Sequence, residues 1–376
     1  MALDLFAACL PGLEPLLADE LRALGAAPEE QPGGAAFAGD AALLRRAHLW
    51  LGTASHLLLR CGTFRCRNLG ELTTKTASLP WREWLRPDAP VAVRATAQRS
   101  RLYHTGAIAE RVQKGIDAAL GRATEPETTE APVQLAARVR DDVVTLSIDT
   151  AAEPLHRRGY RLDGGKAPLR EDLAHALLRA AGFAPGTPLL DPFCGSGTIA
   201  IEAATLAAGL PPGRLRPAPL RGTALQDDDA WRQLVAAASQ PPVSLPPAAP
   251  IAASDRDAGA VAAAEANAER AGVRALLDVR CCALTAAPWL AAPADAPPGL
   301  LLATNPPFGR RIGPGSDLAP LYQSLGHRFA SLPGARMALL AHDPRLARRT
   351  GCALRVCWST RHGGLSVAAL VSGPPA

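Results

Sequence analysis

Three short stretches of the sequence carry side chains able to do chemistry. The first is Asp191-Pro192-Phe193-Cys194-Gly195-Ser196-Gly197, set between TPLLD and TIAIEAATLAAG. Its glycines let a chain turn sharply and let the backbone approach a ligand closely. The helix that follows offers free N–H groups at its start. The spacing is neither GxGxxG nor GxxxxGK[ST], which counts against dinucleotide and P-loop chemistry. Asp191 would repel a phosphate but could accept from a positively charged aminoacyl group. The second stretch is SDRD, where Asp255 ends an apolar run. A carboxylate there can accept from both hydroxyls of a ribose, while Asp257 is placed to cap the next helix. The third is Asn305-Pro306-Pro307-Phe308, ending LLLATN, 114 residues beyond Asp191. It gathers a side-chain amide oxygen, a carbonyl held by a neighbouring proline and an aromatic face. Two acceptors and a stacking face suit a planar base bearing an exocyclic NH₂. The competing readings are structural: a tight glycine turn, a helix cap and an ordinary proline turn. Arg310 and Arg311 follow at once and suit either a phosphate or plain solvation.

The elements that must hold these residues are visible in the hydrophobic pattern. From residue 164 onward, short apolar runs alternate with helical periods: LREDLAHALLRAAG, TPLLD, TIAIEAATLAAG, PIAASD, AGAVAAAEANAERAG, LLDVRC, LLLATN and RMALLAH. That alternation predicts a parallel, doubly wound sheet. The runs 354–359 and 365–372 flank RHGG and predict a terminal hairpin. The Pro-rich stretch 210–250 reads as an insertion with one short helix around Trp231. Before residue 164 the pattern is different. A helix is predicted over 13–25 from Leu13, Leu16, Leu17, Leu21 and Leu24, ending at Gly25. Strands are predicted over 90–97, 132–139 and 143–149, the last two a hairpin around Arg140-Asp141-Asp142, with a helix over 105–121.

Composition narrows the class. Hydrophobic residues are 48% and charged residues 20%, which excludes wholesale disorder. No run of about 18 uncharged apolar residues suggests a membrane span, and the N-terminus lacks a basic start, so no signal peptide is expected. The eight cysteines include no CxxC pair, which favours reduced cytosolic thiols over a disulfide or zinc framework. The net charge of +5 is unevenly spread: residues 1–59 carry 3 basic and 7 acidic groups, residues 60–114 carry 11 and 4. A local basic segment suits a polyanionic partner. Only three of the 40 basic residues in the whole sequence are Lys, a bias that a GC-rich genome explains without function.

Longer strings carry a family likeness. LHRRGYR (155–161), APLREDLAHALL (167–178), LLDPFCGSGTIAIEAA (189–204), SDRDAGAVAAAEANAERAGV (254–273) and NPPFGRRIG (305–313) resemble the THUMP-domain, S-adenosylmethionine-dependent RNA guanine-N2 methyltransferases. So do PGLEPLLADELRALG, LPWREWL and SRLYHTGAIAERVQKGI in the first half. The resemblance implies an α/β fold: a ferredoxin-like region over 1–59, a THUMP RNA-binding domain over 60–155, and a Rossmann-like methyltransferase domain over 164–376 closed by an antiparallel hairpin. It implies that Asp191 to Gly197 and Asp255 hold S-adenosylmethionine. Asn305 and Pro306 would accept the two N–H groups of the target amine, and Phe308 would stack on the base. Neither metal nor covalent nucleophile is then needed. Cys282 stands where the family tends to carry an Asp near the cofactor adenine, and a thiol is a weaker hydrogen-bond partner. Arg99, Arg101 and Lys114, with Arg310 and Arg311, are the candidate RNA contacts. The expected substrate is guanine N2 in 23S ribosomal RNA, for a cytoplasmic monomer. Three alternatives stay open: a transfer-RNA substrate, a non-catalytic RNA-binding or assembly factor, and a DNA adenine-N6 methylase.

Overall fold

The computed structural model describes residues 2–122, 131–151, 153–162, 169–239, 249–308, 317–362 and 364–372. The first half is built from β1 (Leu3–Ala8), α1 (Glu14–Ala23), β2 (Glu29–Gln31), β3 (Gly34–Gly39), α2 (Ala41–Trp50), β4 (His56–Arg65), α3 (Leu69–Ala77), β5 (Val91–Gln98), α4 (Thr105–Leu120), β6 (Val133–Arg140) and β7 (Val143–Asp149). These strands form one seven-stranded sheet in the order β2-β3-β1-β4-β7-β6-β5. Strand β4 joins its two parts. It pairs antiparallel with β1 through His56–Leu59 and with β7 from Leu58 to Arg65, with a register shift between Arg60 and Gly62. The β6–β7 turn is made by Asp141 and Asp142, both at positive φ, +51° and +61°. A two-residue hairpin needs that conformation, and Asp tolerates it better than most residues.

The second half contains α5 (Glu171–Ala180), β8 (Leu189–Asp191), α6 (Thr198–Ala207), α7 (Asp228–Ala238), β9 (Ile251–Asp255), α8 (Ala258–Arg270), β10 (Leu277–Cys281), β11 (Leu301–Thr304), α9 (Ala319–Ala330), β12 (Arg336–Ala341), α10 (Pro344–Arg348), β13 (Leu354–His362) and β14 (Leu365–Ser372). Its sheet runs β10-β9-β8-β11-β12-β14-β13. The first five of these strands are parallel and the last hairpin is antiparallel. The near-continuous apolar strands β8, β11 and β12 are buried on both faces, as a doubly wound sheet requires.

Two devices fasten the halves together. One is a buried ionic chain. Glu20 on α1 accepts from the Gly52 and Thr53 amides, each at 3.1 Å, and pairs with His175 Nε2 of α5 at 3.0 Å. His175 Nδ1 meets Glu202 of α6 at 3.2 Å, and Glu202 meets Arg158 Nε at 3.2 Å. Arg158 closes the circuit by donating to the Gly52 carbonyl at 2.6 Å. All four side chains are at most 7% exposed. The other device is a strap, the segment from Gly213 to Trp231. Gly213 N donates to Leu49 O, Leu220 N to Thr150 O, and Ala224 N to Trp84 O. Thr223 also bridges to Leu85, and Trp231 is buried at the strap's end. The sequence places one helix in this Pro-rich stretch, and α7 is that helix. Its backbone, though, binds across to the first half.

Candidate active site

The sheet places the three motifs together. β8 lies between β9 and β11, so the chain order reverses on its two sides. The crevice at the carboxyl ends of such strands is where ligands bind in open α/β sheets. Asp191 ends β8, Asp255 ends β9, and Asn305 follows Thr304 at the end of β11. A cavity there is lined by Asp191, Phe193, Cys194, Gly195, Ser196, Thr198 and Asn305, with Leu169 and Ile199.

The glycine loop is tied down from below. Cys194 N donates to Ser254 O at 2.9 Å and Gly195 N to Asp255 Oδ2 at 3.0 Å. Gly195 and Gly197 sit at φ +52° and +84°, the left-handed region that glycine enters without steric cost. At Gly197 a Cβ would also lie 3.0 Å from Ala264 Cβ on α8, so the close packing of α8 demands glycine there. Pro192 is buried within the turn, and Asn267 on α8 holds the Ser196 carbonyl at 3.0 Å.

Asp191 is 1% exposed and accepts from Thr304 Oγ1 at 2.6 Å and from Phe193 N at 3.2 Å. Burial pushes its carboxyl up to about 7 against those two bonds, with Asp255 adding to the rise. Asp255 accepts one backbone N–H on each oxygen, from Gly195 and from Asp257, and keeps a lone pair free on each. Asp257 caps α8, accepting from Gly259 and Ala260. Burial raises the Cys194 thiol far above the ordinary thiol range, so it stays protonated and is no nucleophile. Cys282 follows β10, is half-buried, and is held beside Asp255 by its backbone N–H to the Asp255 carbonyl at 2.9 Å.

Asn305 is 8% exposed, and its Oδ1 has no hydrogen-bond partner among the described residues. A buried acceptor left in that state costs about 1–3 kcal/mol. Pro306 is buried behind it. Tyr322 on α9 donates to the Pro307 carbonyl at 3.3 Å and fixes the tail of the motif. Phe308 stacks on His342, ring centres 3.7 Å apart and planes at 28°. Thr304, Tyr322 and His342 were not singled out by motif reading. Thr304 carries the one signal that could have found it, its place beside Asn305 at a strand end.

The remaining candidates lie elsewhere. Arg99, at φ +49°, makes a two-point bond to Asp141 on the first sheet's hairpin, at 3.0 and 2.9 Å. Lys114 pairs with Glu110 at 2.7 Å. Arg101 is exposed, its backbone N–H held by Asp142. None of the three lines the cavity. Arg310 and Arg311 lie outside the described residues. Among the described residues no group of three or more His, Cys, Asp or Glu is arranged to hold a metal ion. No helix among them is long and apolar enough to cross a membrane.

Comparison with known proteins agrees with this architecture. Residues 4–58 match a model described as the RlmL ferredoxin-like domain, residues 66–149 match the THUMP domain, and residues 158–353 match the RMKL-like methyltransferase domain. The chain is 36% identical to the ribosomal RNA large subunit methyltransferase K/L of Syntrophotalea carbinolica, over 96% of this chain and 52% of that protein. It thus spans about half the length of the curated relatives of that kind that it matches. A putative RNA methyltransferase of Synechocystis sp. is 31% identical over 96% of this chain and 94% of its own length. A possible methylase from Clostridium difficile, solved as a crystal structure, superposes with a TM-score of 0.89 at 26% identity, covering 100% of this chain and 99% of that one. The model match over more than half of its length, with relatives above 30% identity along nearly all of it, places the chain as a member of the RMKL-like methyltransferase family.

Proposed function

We propose that the chain transfers a methyl group from S-adenosyl-L-methionine to the exocyclic N2 amine of a guanine, in large-subunit ribosomal RNA. The observation that carries this reading is the buried Asn305 Oδ1, without a partner among the described residues, in the lining of the glycine-loop cavity. The residues of the cavity fit the cofactor. Asp191 offers a buried carboxylate for its cationic amino group. Asp255, which bonds the cavity-lining Gly195 from the end of β9, has a free lone pair on each oxygen for two ribose hydroxyls, and Gly195 and Ser196 line the cavity. Cys282, beside Asp255, is the side chain nearest the place an adenine edge would take, on the family likeness. When bound, the cofactor supplies an electrophilic sulfonium methyl.

The chain's own residues then have to prepare the amine. Its lone pair is delocalised into the ring and is a poor nucleophile. Asn305 Oδ1 accepts one N–H and the Pro306 carbonyl accepts the other, which favours a pyramidal nitrogen and aims its lone pair. An amide cannot act as a base near neutral pH, so the proton leaves after transfer. Phe308 stacks on the base with about 1–3 kcal/mol, against a few kcal/mol for extruding a paired base from its helix. His342 backs the Phe308 ring from its other side.

The substrate reading draws on the relatives named for ribosomal RNA methylation and on the THUMP match. The test is methyl transfer from labelled cofactor to unmodified large-subunit ribosomal RNA and, separately, to transfer RNA. Mass spectrometry then identifies the modified nucleoside. N2-methylguanosine in the ribosomal pool is the expected result. The same nucleoside in the transfer-RNA pool alone would overturn the substrate. N6-methyladenine, or no cofactor binding at all, would overturn the chemistry.

A further inference from the structure

The first sheet has one face beneath its helices and one face open. Register decides which side chains share the open face. Leu135, Ala137, Val139, Val144, Leu146 and Ile148 alternate inward and are fully buried. Their alternates point outward. In register across the strands, Thr96 stands beside Arg138, which faces Thr145, which faces Thr63. One row along, Gln98 stands beside Arg140, which faces Val143, which faces Arg65. Arg94 is two residues from Thr96 on the edge strand, on the same side. Arg65, Arg94, Arg138 and Arg140 are all exposed.

This face is unusual in three respects. Arg65, Arg94 and Arg138 have no ion-pair partner among the described residues, whereas Arg99 and Lys114 at the margin are paired. Arg140 approaches Asp141 at 3.6 Å, an oxygen that Arg99 already holds. The outward positions of β5 and β6 include no carboxylate; Ala92, Arg94, Thr96, Gln98, Gln134, Ala136, Arg138 and Arg140 fill them. Nor do they include an aromatic ring. Like charges gathered on one sheet face repel and destabilise it, so the cluster needs a reason outside folding.

We propose that this open face is a docking platform for the sugar–phosphate backbone of structured RNA. The four strands β4, β7, β6 and β5 make a surface about 14 Å across, with Arg138 and Arg140 about 6.7 Å apart along the backbone of β6; Asp149, at the far end of β7 on the same side, is paired with His56. Arginines bind phosphate through a planar fork of donors, and Thr and Gln add neutral donors between them. Without a ring to stack on, the surface holds backbone and fixes register rather than reading bases. The inference rests on the RNA reading above and names the surface that serves it.

The test uses the full chain, with Arg94→Gln, Arg138→Gln and Arg140→Gln combined. A control removes equal charge from the helical side, with Arg22→Gln, Arg45→Gln and Arg46→Gln. Binding of a fluorescein-labelled large-subunit ribosomal RNA transcript is followed by anisotropy from low to high KCl. The platform variant should show a log–log salt slope shallower by about three, one per arginine, with cofactor affinity unchanged and a melting temperature that does not fall. The control should keep the wild-type slope. Wild-type binding that survives in the platform variant, or is lost equally in the control, overturns the platform. Absence of salt-dependent binding by the wild-type chain would instead overturn the RNA reading itself.

Discussion

Asn305 and Asp191 set two demands on the site at the scale of single residues. On the proposed reading, Asn305→Ala removes an acceptor for the amine of the target base. A loss of about 10²–10³ in kcat is therefore expected, the size seen when one preorganised polar group is removed from a transition state. Cofactor affinity should stay within about twofold, measured by calorimetry; strong residual turnover would show that another group orients the amine. Asp191 makes a pH prediction. Its carboxyl sits at about 7, so below that pH the empty pocket holds it protonated and neutral. A cationic amino group binds the ionised form, so the proton must leave first. Between pH 5.5 and 7, affinity for the cofactor should rise toward tenfold per pH unit. Asp191→Asn should bind weakly with a flat profile over that range, and an equally steep profile in that variant would move the titration to another group.

At the scale of elements, the ionic chain between α1, α5 and α6 makes a stability prediction. Burial opposes charge on every member, yet the pairings outweigh it. Glu20 is lowered by its bonds to His175 and Thr53, Glu202 falls to about 2 beside Arg158 and His175, and His175 is raised by both carboxylates. A raised His contributes fully below its unfolded value of about 6.5 and loses that contribution as pH climbs through its folded pKa. Lowered carboxylates contribute fully above about 4.5 and lose it on acidification toward 2. Stability should thus be greatest between about pH 4.5 and 6.5 as far as this chain decides it. Glu202→Gln leaves Arg158 and His175 buried with one carboxylate gone, and should cost about 3–5 kcal/mol. Denaturant midpoints across pH check both statements; an unchanged midpoint would sink them. Legibility of the elements follows the same physics. The alternating second half was readable because each strand and helix there carries its own hydrophobic period, and all three site motifs sit at its strand ends. Several elements of the first half were not, β4, α2 and α3 among them. β4 reads HLLLRCGTFR, a run whose alternation is broken by the register shift at Gly62. α2 is short and crowded with Arg. α3 is Thr-rich, although its start carries a cap signature, Asn68 accepting from Glu71 N. The partners of Pro307 and Phe308 were illegible because Tyr322 and His342 reach them from α9 and the end of β12, elements far along the chain. The arginine face was illegible because only the sheet register brings Arg65 beside Arg140.

Over the whole molecule, the strap and the ionic chain are two sets of bonds that cross between the sheets. Trp231 anchors the strap's end, 5% exposed among His48, Ala151 and Arg216. Trp231→Ala should cost about 3–5 kcal/mol where the site cannot collapse. The cost should appear locally, as faster amide exchange and proteolytic cutting within residues 213–238, before the methyltransferase sheet melts. Simultaneous loss of both sheets in one transition would show instead that the halves share a single cooperative unit.

Chain order gives the strap a place in time. The first sheet is complete in sequence once Asp149 has been made, and Gly213, the first strap residue to bond it, lies 64 residues later. At roughly 5–20 residues per second, the backbone carbonyls of Leu49, Trp84 and Thr150 wait at least about 3–13 s after Asp149 is made for their strap partners. The N-terminal half must therefore stand without its clasp while α5, β8 and α6 emerge. Its early solubility depends on the charged sheet face and the helices already laid on it, and the clasp closes only when the glycine loop of the second half has already been made.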